Sequence, residues 1–426
     1  MHQRAPSLAE SYLNDIFHLS KIAVSFAMLL PLIPSTTQPA QAQTYQVLHY
    51  FTSGADGAKP IAGATVGGSG ILYGTAPSGG TGGYGTAYKL TQHSSSWVFS
   101  PLYEFTEGGD GVQPVGGVVV GSSGALYGTA VGGGSGGGGT VFELRPPFTI
   151  CRTVQCYWTE TTLYSFSGAP SDGALPWYED LIFDSAGNIY GTTKSGGTYD
   201  AGTAFKLTQS GDGWTETVLH SFGNGTDGAQ PWSSLVFDAS GTLYGTTIEG
   251  GSDSCGTVYQ LSPSGGSWTE TVLVNLSAEY GCLPMGALLI GQSSGNLYGT
   301  ASEYGPNGGG TVFKLVPSNG GWTMSTIYPF TSCLPTSGVS MDSAGNLYGT
   351  CYYGASGLGS VFELTNCSQT CTLIDLHDFN GSDGQNPWGS VALDASGNIH
   401  GTTFYGGNTG GDCGNDGCGV VWEITP

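Results

Sequence analysis

A chain of 426 residues with 75 glycines and 9% charged residues is no ordinary helical protein, being poor in helix formers and rich in turn formers. The length suits either one large repeat domain or roughly two to three ordinary ones. A net charge of −22 makes nucleic acid and anionic membrane surfaces poor partners and suits solubility, cations or neutral polymers.

At the N-terminus, Arg4 and Lys21 precede an apolar run over 22–33, and Ala40-Gln41-Ala42 offers a small-x-small cleavage site before Gln43. This predicts a secretory signal peptide over 1–42 and a mature domain over 43–426. The run is too short to span a bilayer. No cysteine sits near the cleavage site, and 420–426 forms no hydrophobic tail. The expected product is a soluble monomer, secreted to the periplasm or the extracellular space, with no membrane span or anchor.

From there the phrase Leu-Tyr-Gly-Thr, or a close variant, recurs seven times. The copies centre on Tyr73, Tyr127, Tyr190, Tyr244, Tyr298, Tyr348 and His400, at steps of 50 to 63 residues. The unit around Tyr244 reads as four strands, 233–238, 243–247, 256–261 and 268–274, joined by glycine turns. Seven such units predict an all-β, seven-bladed β-propeller of four-stranded antiparallel blades. The last unit stops after its third strand. Residues 45–51 have the pattern of a fourth, so the N-terminal strand should complete blade seven and close the ring.

Within each unit, a glycine three residues before the central Tyr or His (Gly70, Gly124, Gly187, Gly241, Gly295, Gly345, Gly397) marks a hairpin needing positive φ. Asp184, Asp238, Asp342 and Asp394 open that turn in four units and are read as Asx-turn residues. Trp97, Trp158, Trp214, Trp268 and Trp322 begin fourth strands and should pack between blades.

The connection between units repeats as Asp-Gly-x-x-Pro, beginning at Asp56, Asp110, Asp172, Asp227 and Asp383. Asp-Gly is a turn signal, and Pro can begin an innermost strand. The functional reading of the same aspartates is calcium, the one cofactor these residues suggest. Trp177, Trp232 and Trp388 follow three of the prolines and should stand at the mouth of the central channel, with Tyr178, Glu179 and Asp180 beside the first. They either plug the mouth or, with Tyr178 and Glu179, hold a sugar ring.

All ten cysteines lie in the mature region, and an exported chain favours disulfides over zinc. The propeller frame pairs Cys151–Cys156, Cys255–Cys282, Cys333–Cys351, Cys367–Cys371 and Cys413–Cys418. No catalytic constellation is present: there is no Gly-x-Ser-x-Gly elbow, no His-Glu-x-x-His and no phosphate loop. His49, His220 and His377 fall at similar places in fourth strands, which suggests packing or cross-strand bonding.

The phrases Asp342-Ser-Ala-Gly-Asn-Leu-Tyr-Gly-Thr350 and Gly310-Thr-Val-Phe-Lys-Leu315 resemble the Gloeobacter/Verrucomicrobia (GloVer) tandem repeat, over essentially all of 44–426. The resemblance implies an exported bacterial repeat protein and brings no catalytic residues. Members often carry a C-terminal sorting anchor; residues 420–426 show no such signal, so release or periplasmic residence is expected. The expected function is a secreted, non-catalytic protein binding an extracellular glycan or protein through one propeller face. The alternatives are a lyase or lactonase with a divalent metal in the channel, and a structural extracellular component.

Overall fold

The computed structural model describes residues 43–426 apart from 69, 149–155, 179, 212, 292–293 and 368–370. These form seven blades of four antiparallel strands in a ring. Blade four shows the pattern, with strands Val236–Phe237, Leu243–Glu249, Thr257–Ser264 and Ser267–Asn275 running outward from the axis. The N-terminal strand Thr44–Tyr50 is the outermost strand of blade seven. It pairs antiparallel with Val420–Thr425, from Thr44 opposite Thr425 to Tyr50 opposite Val420.

The two repeated phrases prove to be halves of one contact. Gly245 of the second strand lies directly opposite Tyr259 of the third, and a Cβ on Gly245 would collide with that ring. The same glycine–aromatic pairing holds at Gly128 and Phe142, Gly349 and Phe362, and Gly401 and Trp422. A bare glycine lets a large ring lie flat across the neighbouring strand, so the sheet buries aromatic area without losing its ladder.

Three further contacts join blade to blade. The fourth-strand tryptophan packs against the repeat Tyr or His of the preceding blade: Trp158 on Tyr73, Trp268 on Tyr190, Trp322 on Tyr244 and Trp97 on His400. The threonine of Leu-Tyr-Gly-Thr donates to a backbone carbonyl of the next blade, as from Thr246 Oγ1 to Pro284 O at 3.0 Å and Thr402 Oγ1 to Ala62 O at 2.8 Å. The proline of each connection lies on the glycine that opens the previous blade's third strand. A Cβ on Gly202 would stand 2.6 Å from Pro231 Cδ, and one on Gly419 would stand 2.8 Å from Pro60 Cδ.

The first strands are shorter than the sequence suggests. In place of 233–238, only Val236–Phe237 pairs with the second strand. Residues before it turn into the channel, where Ser233 O accepts from Thr192 Oγ1 of blade three at 3.2 Å. Their backbone is satisfied by the neighbouring blade, so alternation alone overstates the strand.

The turn chemistry matches the sequence reading. All seven hairpin glycines have positive φ, from 65° to 87°. Asp238 Oδ1 accepts from the Ser240 and Thr242 N–H groups at 2.8 and 2.9 Å, an Asx turn repeated at Asp184, Asp342 and Asp394. Disulfides join Cys255–Cys282, Cys333–Cys351, Cys367–Cys371 and Cys413–Cys418. The expected Cys151–Cys156 bridge involves Cys151, which lies outside the described residues.

Candidate functional site: the channel mouth

The connection aspartates do not converge. Asp56 accepts from Thr52 N and Oγ1 and lies 3.1 Å from His49 Nε2. Asp110 accepts from Thr106 N and Tyr103 OH. Asp172 accepts from Ser167 N, Asp227 meets His220 at 3.0 Å, and Asp383 meets Asn380 N and His377. Each carboxylate is held by its own connection and, at Asp56, Asp110, Asp227 and Asp383, by the strand before it, and none joins the one His/Cys/Asp/Glu cluster of ligand geometry among the described residues. The histidines at similar places in fourth strands are thus partners of these turns. Where blades five and six lack the aspartate, Cys282 and Cys333 stand in the connection, and a disulfide fastens it instead.

The residues after the prolines do converge. Tyr178 of blade three stacks on Trp232 of blade four, with ring centroids 5.5 Å apart, and on Trp388 of blade seven at 5.4 Å. Blades three and seven are not neighbours in the ring, so this stack crosses the mouth. Trp177 meets Tyr178 at 5.6 Å and Trp232 at 5.8 Å, while Tyr352 and Phe404 flank Trp388 at 4.9 and 6.4 Å. Ile61, Val115 and Val131 form the buried base of this cluster. Lys194 Nζ stands 4.4 Å from the Trp232 ring centroid, and Lys59 Nζ stands 5.3 Å from that of Tyr405. The four aromatic candidates are half-buried; Glu179 lies outside the described residues.

Tyr178 reaches the axis because blade three carries one extra residue. Val236 is the fifth residue after Pro231, and the other blades match it, but Ile182 is the sixth after Pro176. The added residue accompanies a left-handed backbone at Tyr178, φ 51°. It also places Asp180 where other blades have Gly63, Gly117, Ser234, Ala287, Gly338 and Ser390. All of these but Gly117 line a central cavity of about 390 Å³, which Ile61, Tyr178, Thr336 and Trp388 line as well.

Asp180 faces the lumen yet is ringed by protein. Its N–H donates to Ser234 Oγ at 2.7 Å. Its side chain is open to the lumen, yet the protein packed around it raises its carboxyl above the usual range, partly offset by the Gly117 N–H. Among the described residues lining the cavity, Asp180 is the one carboxylate, and none is a histidine. In the sequence Asp180 is one polar group beside Trp177; the structure makes it the one carboxylate among the described residues lining the channel. The signal was a count, eight residues from Pro176 to the turn Asp184 against seven from Pro231 to Asp238.

Comparison with known proteins agrees with this architecture. The family model of the Gloeobacter/Verrucomicrobia repeat matches residues 36–156 and 148–335. The chain belongs to that family. No curated protein matches it. Among solved structures, the extracellular domain of a protein assigned as a hybrid two-component system of B. thetaiotaomicron is similar at a TM-score of 0.55 and 13% identity. That match covers 89% of this chain and 39% of the other, so this chain spans well under half of it. A polysaccharide lyase, described as an ulvan lyase, is similar at a TM-score of 0.54 and 12% identity, covering 88% of this chain and 95% of the lyase. At these identities the likeness is one of fold. Among the described residues, no helix is long and apolar enough to cross a membrane.

Proposed function

We propose that this member of the repeat family is a secreted, non-catalytic binding protein that takes a glycan against the aromatic mouth of its channel. The observation that supports this most is the half-buried cluster of Trp177, Tyr178, Trp232 and Trp388, flanked by Lys194 and Lys59. A sugar ring offers one apolar face and a rim of hydroxyls, which suits aromatic faces with polar and cationic groups around them. The loops of this face also expose Tyr199, Tyr304 and Tyr353, giving room for a chain of sugars beyond the mouth. On this reading residues 1–42 are a signal peptide. The disulfides and the fold shared with an extracellular domain are in keeping with export.

Catalysis as a lyase or lactonase needs an acid–base set or several metal ligands at the channel. The described channel residues supply a single carboxylate, which favours binding. The test is affinity electrophoresis of the protein through polysaccharides, ulvan included because the ulvan lyase shares this fold, with and without calcium. The Trp177→Ala/Trp232→Ala/Trp388→Ala protein should lose roughly tenfold or more in affinity for whichever polymer retards the parent. The singly substituted Trp388→Ala protein, checked for an unchanged melting temperature, guards against misfolding. Equal retardation of parent and folded variants rules out the aromatic mouth. Retardation by no polymer favours the structural role.

A further inference from the structure

The central position of Leu-Tyr-Gly-Thr is Tyr in six blades and His400 in the seventh. In blades three, four and six that tyrosine donates to the turn aspartate, as from Tyr244 OH to Asp238 Oδ2 at 3.2 Å. In blade seven three ligating side chains meet instead. His400 Nε2 lies 3.3 Å from Asp394 Oδ2 and 3.9 Å from Glu423 Oε1, and the three donor atoms lie within 4.8 Å of one another. His400 is 1% exposed and Glu423 3%. We propose that Asp394, His400 and Glu423 bind one divalent transition-metal ion, with zinc as the reference metal.

The two separations from His400, 3.3 Å to Asp394 (also within hydrogen-bond reach) and 3.9 Å to Glu423, lie in the range that one bound ion can bridge. Zinc bonds of about 2.0–2.2 Å to nitrogen and oxygen set tetrahedral ligand atoms roughly 3.3 Å apart and span up to about 4 Å. The 3.9 Å gap from His400 to Glu423 is too long for a hydrogen bond. One imidazole and two carboxylates make a mixed N/O set, suited to zinc, manganese or cobalt. Charge points the same way. At the register of Glu423, blades one, three and five carry Lys89, Lys206 and Lys314, and in blade two Glu143 meets Arg145 at 2.8 Å. Among the described residues, no Lys or Arg pairs with Asp394 or Glu423. Two carboxylates thus meet one imidazole with no fixed cation paired to them among the described residues, and a divalent cation would balance the set.

Blade six is an internal control. Tyr348 OH there bridges the same two carboxylate positions, Asp342 and Glu363, at 3.1 Å each. A phenol serves that bridge as a hydrogen-bond donor, whereas a neutral imidazole offers a lone pair to a metal. Asp394 is 23% exposed, so the site is open to solvent on the turn side. Gln46 of the N-terminal strand donates to Glu423 Oε2. The strand that closes the ring therefore orients one ligand, and metal binding should stabilise the closed ring.

The experiment uses the untagged full-length protein, stripped with chelator and titrated with Zn²⁺ by calorimetry, with Tm followed in parallel. The expected result is one zinc per chain, a higher Tm with zinc, and a visible absorption band when Co²⁺ replaces it. His400→Tyr, which restores the residue of the other blades, should fold and lose both zinc and the Tm response. Glu423→Gln should weaken binding roughly tenfold or more. The proposal is overturned if the parent takes up no zinc, or if folded His400→Tyr binds it with the parent's stoichiometry and affinity. Should His400→Tyr fail to fold, Asp394→Asn on the exposed turn is judged by the same criterion.

Discussion

Glu160, Glu216 and Glu270 each sit two residues after a fourth-strand tryptophan and near the aspartate of the connection entering their blade: Asp110, Asp172 and Asp227 respectively. Burial first raises each glutamate to about 7, with the aspartate charge adding to it; at Glu160 a hydrogen bond from Thr162 partly offsets the rise. In two of these pairs both residues hold a buried oxygen without a hydrogen-bond partner, Asp172 with Glu216 and Asp227 with Glu270. The folded state thus holds these protons more tightly than the unfolded chain, where the value is 4.5. Their contribution to stability is full below 4.5, declines between 4.5 and about 7, and is gone above that. Raising the pH from 5.5 to 8 should therefore lower the melting temperature, and the Glu160→Gln/Glu216→Gln/Glu270→Gln protein should show a flatter profile. Matching profiles for parent and variant would falsify this assignment. The carboxylates of Asp184, Asp238, Asp342 and Asp394 are lowered by their turn hydrogen bonds, despite partial burial, and so contribute outside this window. The turn role of those four aspartates was legible in sequence because an Asx turn is local. The glutamate pairs were not, because their partners lie 43 to 50 residues away in the chain (Asp110 and Glu160, for instance).

At the scale of elements, the connection works as a latch between blades. The residue before each proline often takes positive φ, as at Gln230, 54°, and its N–H donates to the preceding blade, here Ala201 O at 2.8 Å. That places Pro231 on Gly202, which itself has φ 100°. A methyl group at Gly202 meets Pro231 and the Thr193 carbonyl, in a backbone region that L residues rarely adopt. Gly202→Ala should cost roughly 2–4 kcal/mol, from strain and overpacking combined. Urea unfolding measures this, and an unchanged midpoint would refute the latch. The sequence showed that Gly-Thr-Ala-Phe and Asp-Gly-x-x-Pro both recur, yet not that they touch. Periodicity identifies elements within a blade but says nothing of which loop rests on which strand. It also overstated the first strands, since residues facing the channel alternate without pairing.

For the whole molecule, closure rests on one strand that is first in sequence and last in the ring. Tyr45 stacks on His377 of blade six at 3.7 Å and donates from its hydroxyl to Asp383 O at 2.7 Å, while His49 stacks on Phe99 of blade one at 4.0 Å. The strand Thr44–Tyr50 therefore touches both neighbours of blade seven besides covering the edge of Val420–Thr425. Deleting residues 43–51 should open that edge and yield a protein that melts lower and aggregates. An intact melting temperature and monodisperse light scattering would contradict this. The sequence by itself determined the seven units, the hairpin glycines, the capping aspartates and the split last blade. All of these are set by spacing and by local backbone chemistry, which any chain with this pattern must obey. The tertiary structure alone decided what meets at the axis and across blades. One added residue in blade three carries Tyr178 over the mouth and makes Asp180 the one carboxylate among the described residues lining the channel. A His in place of Tyr brings three ligand-bearing side chains together in blade seven. Those outcomes depend on how a ring of seven sheets curves back on itself, and no local pattern in the chain encodes that distance.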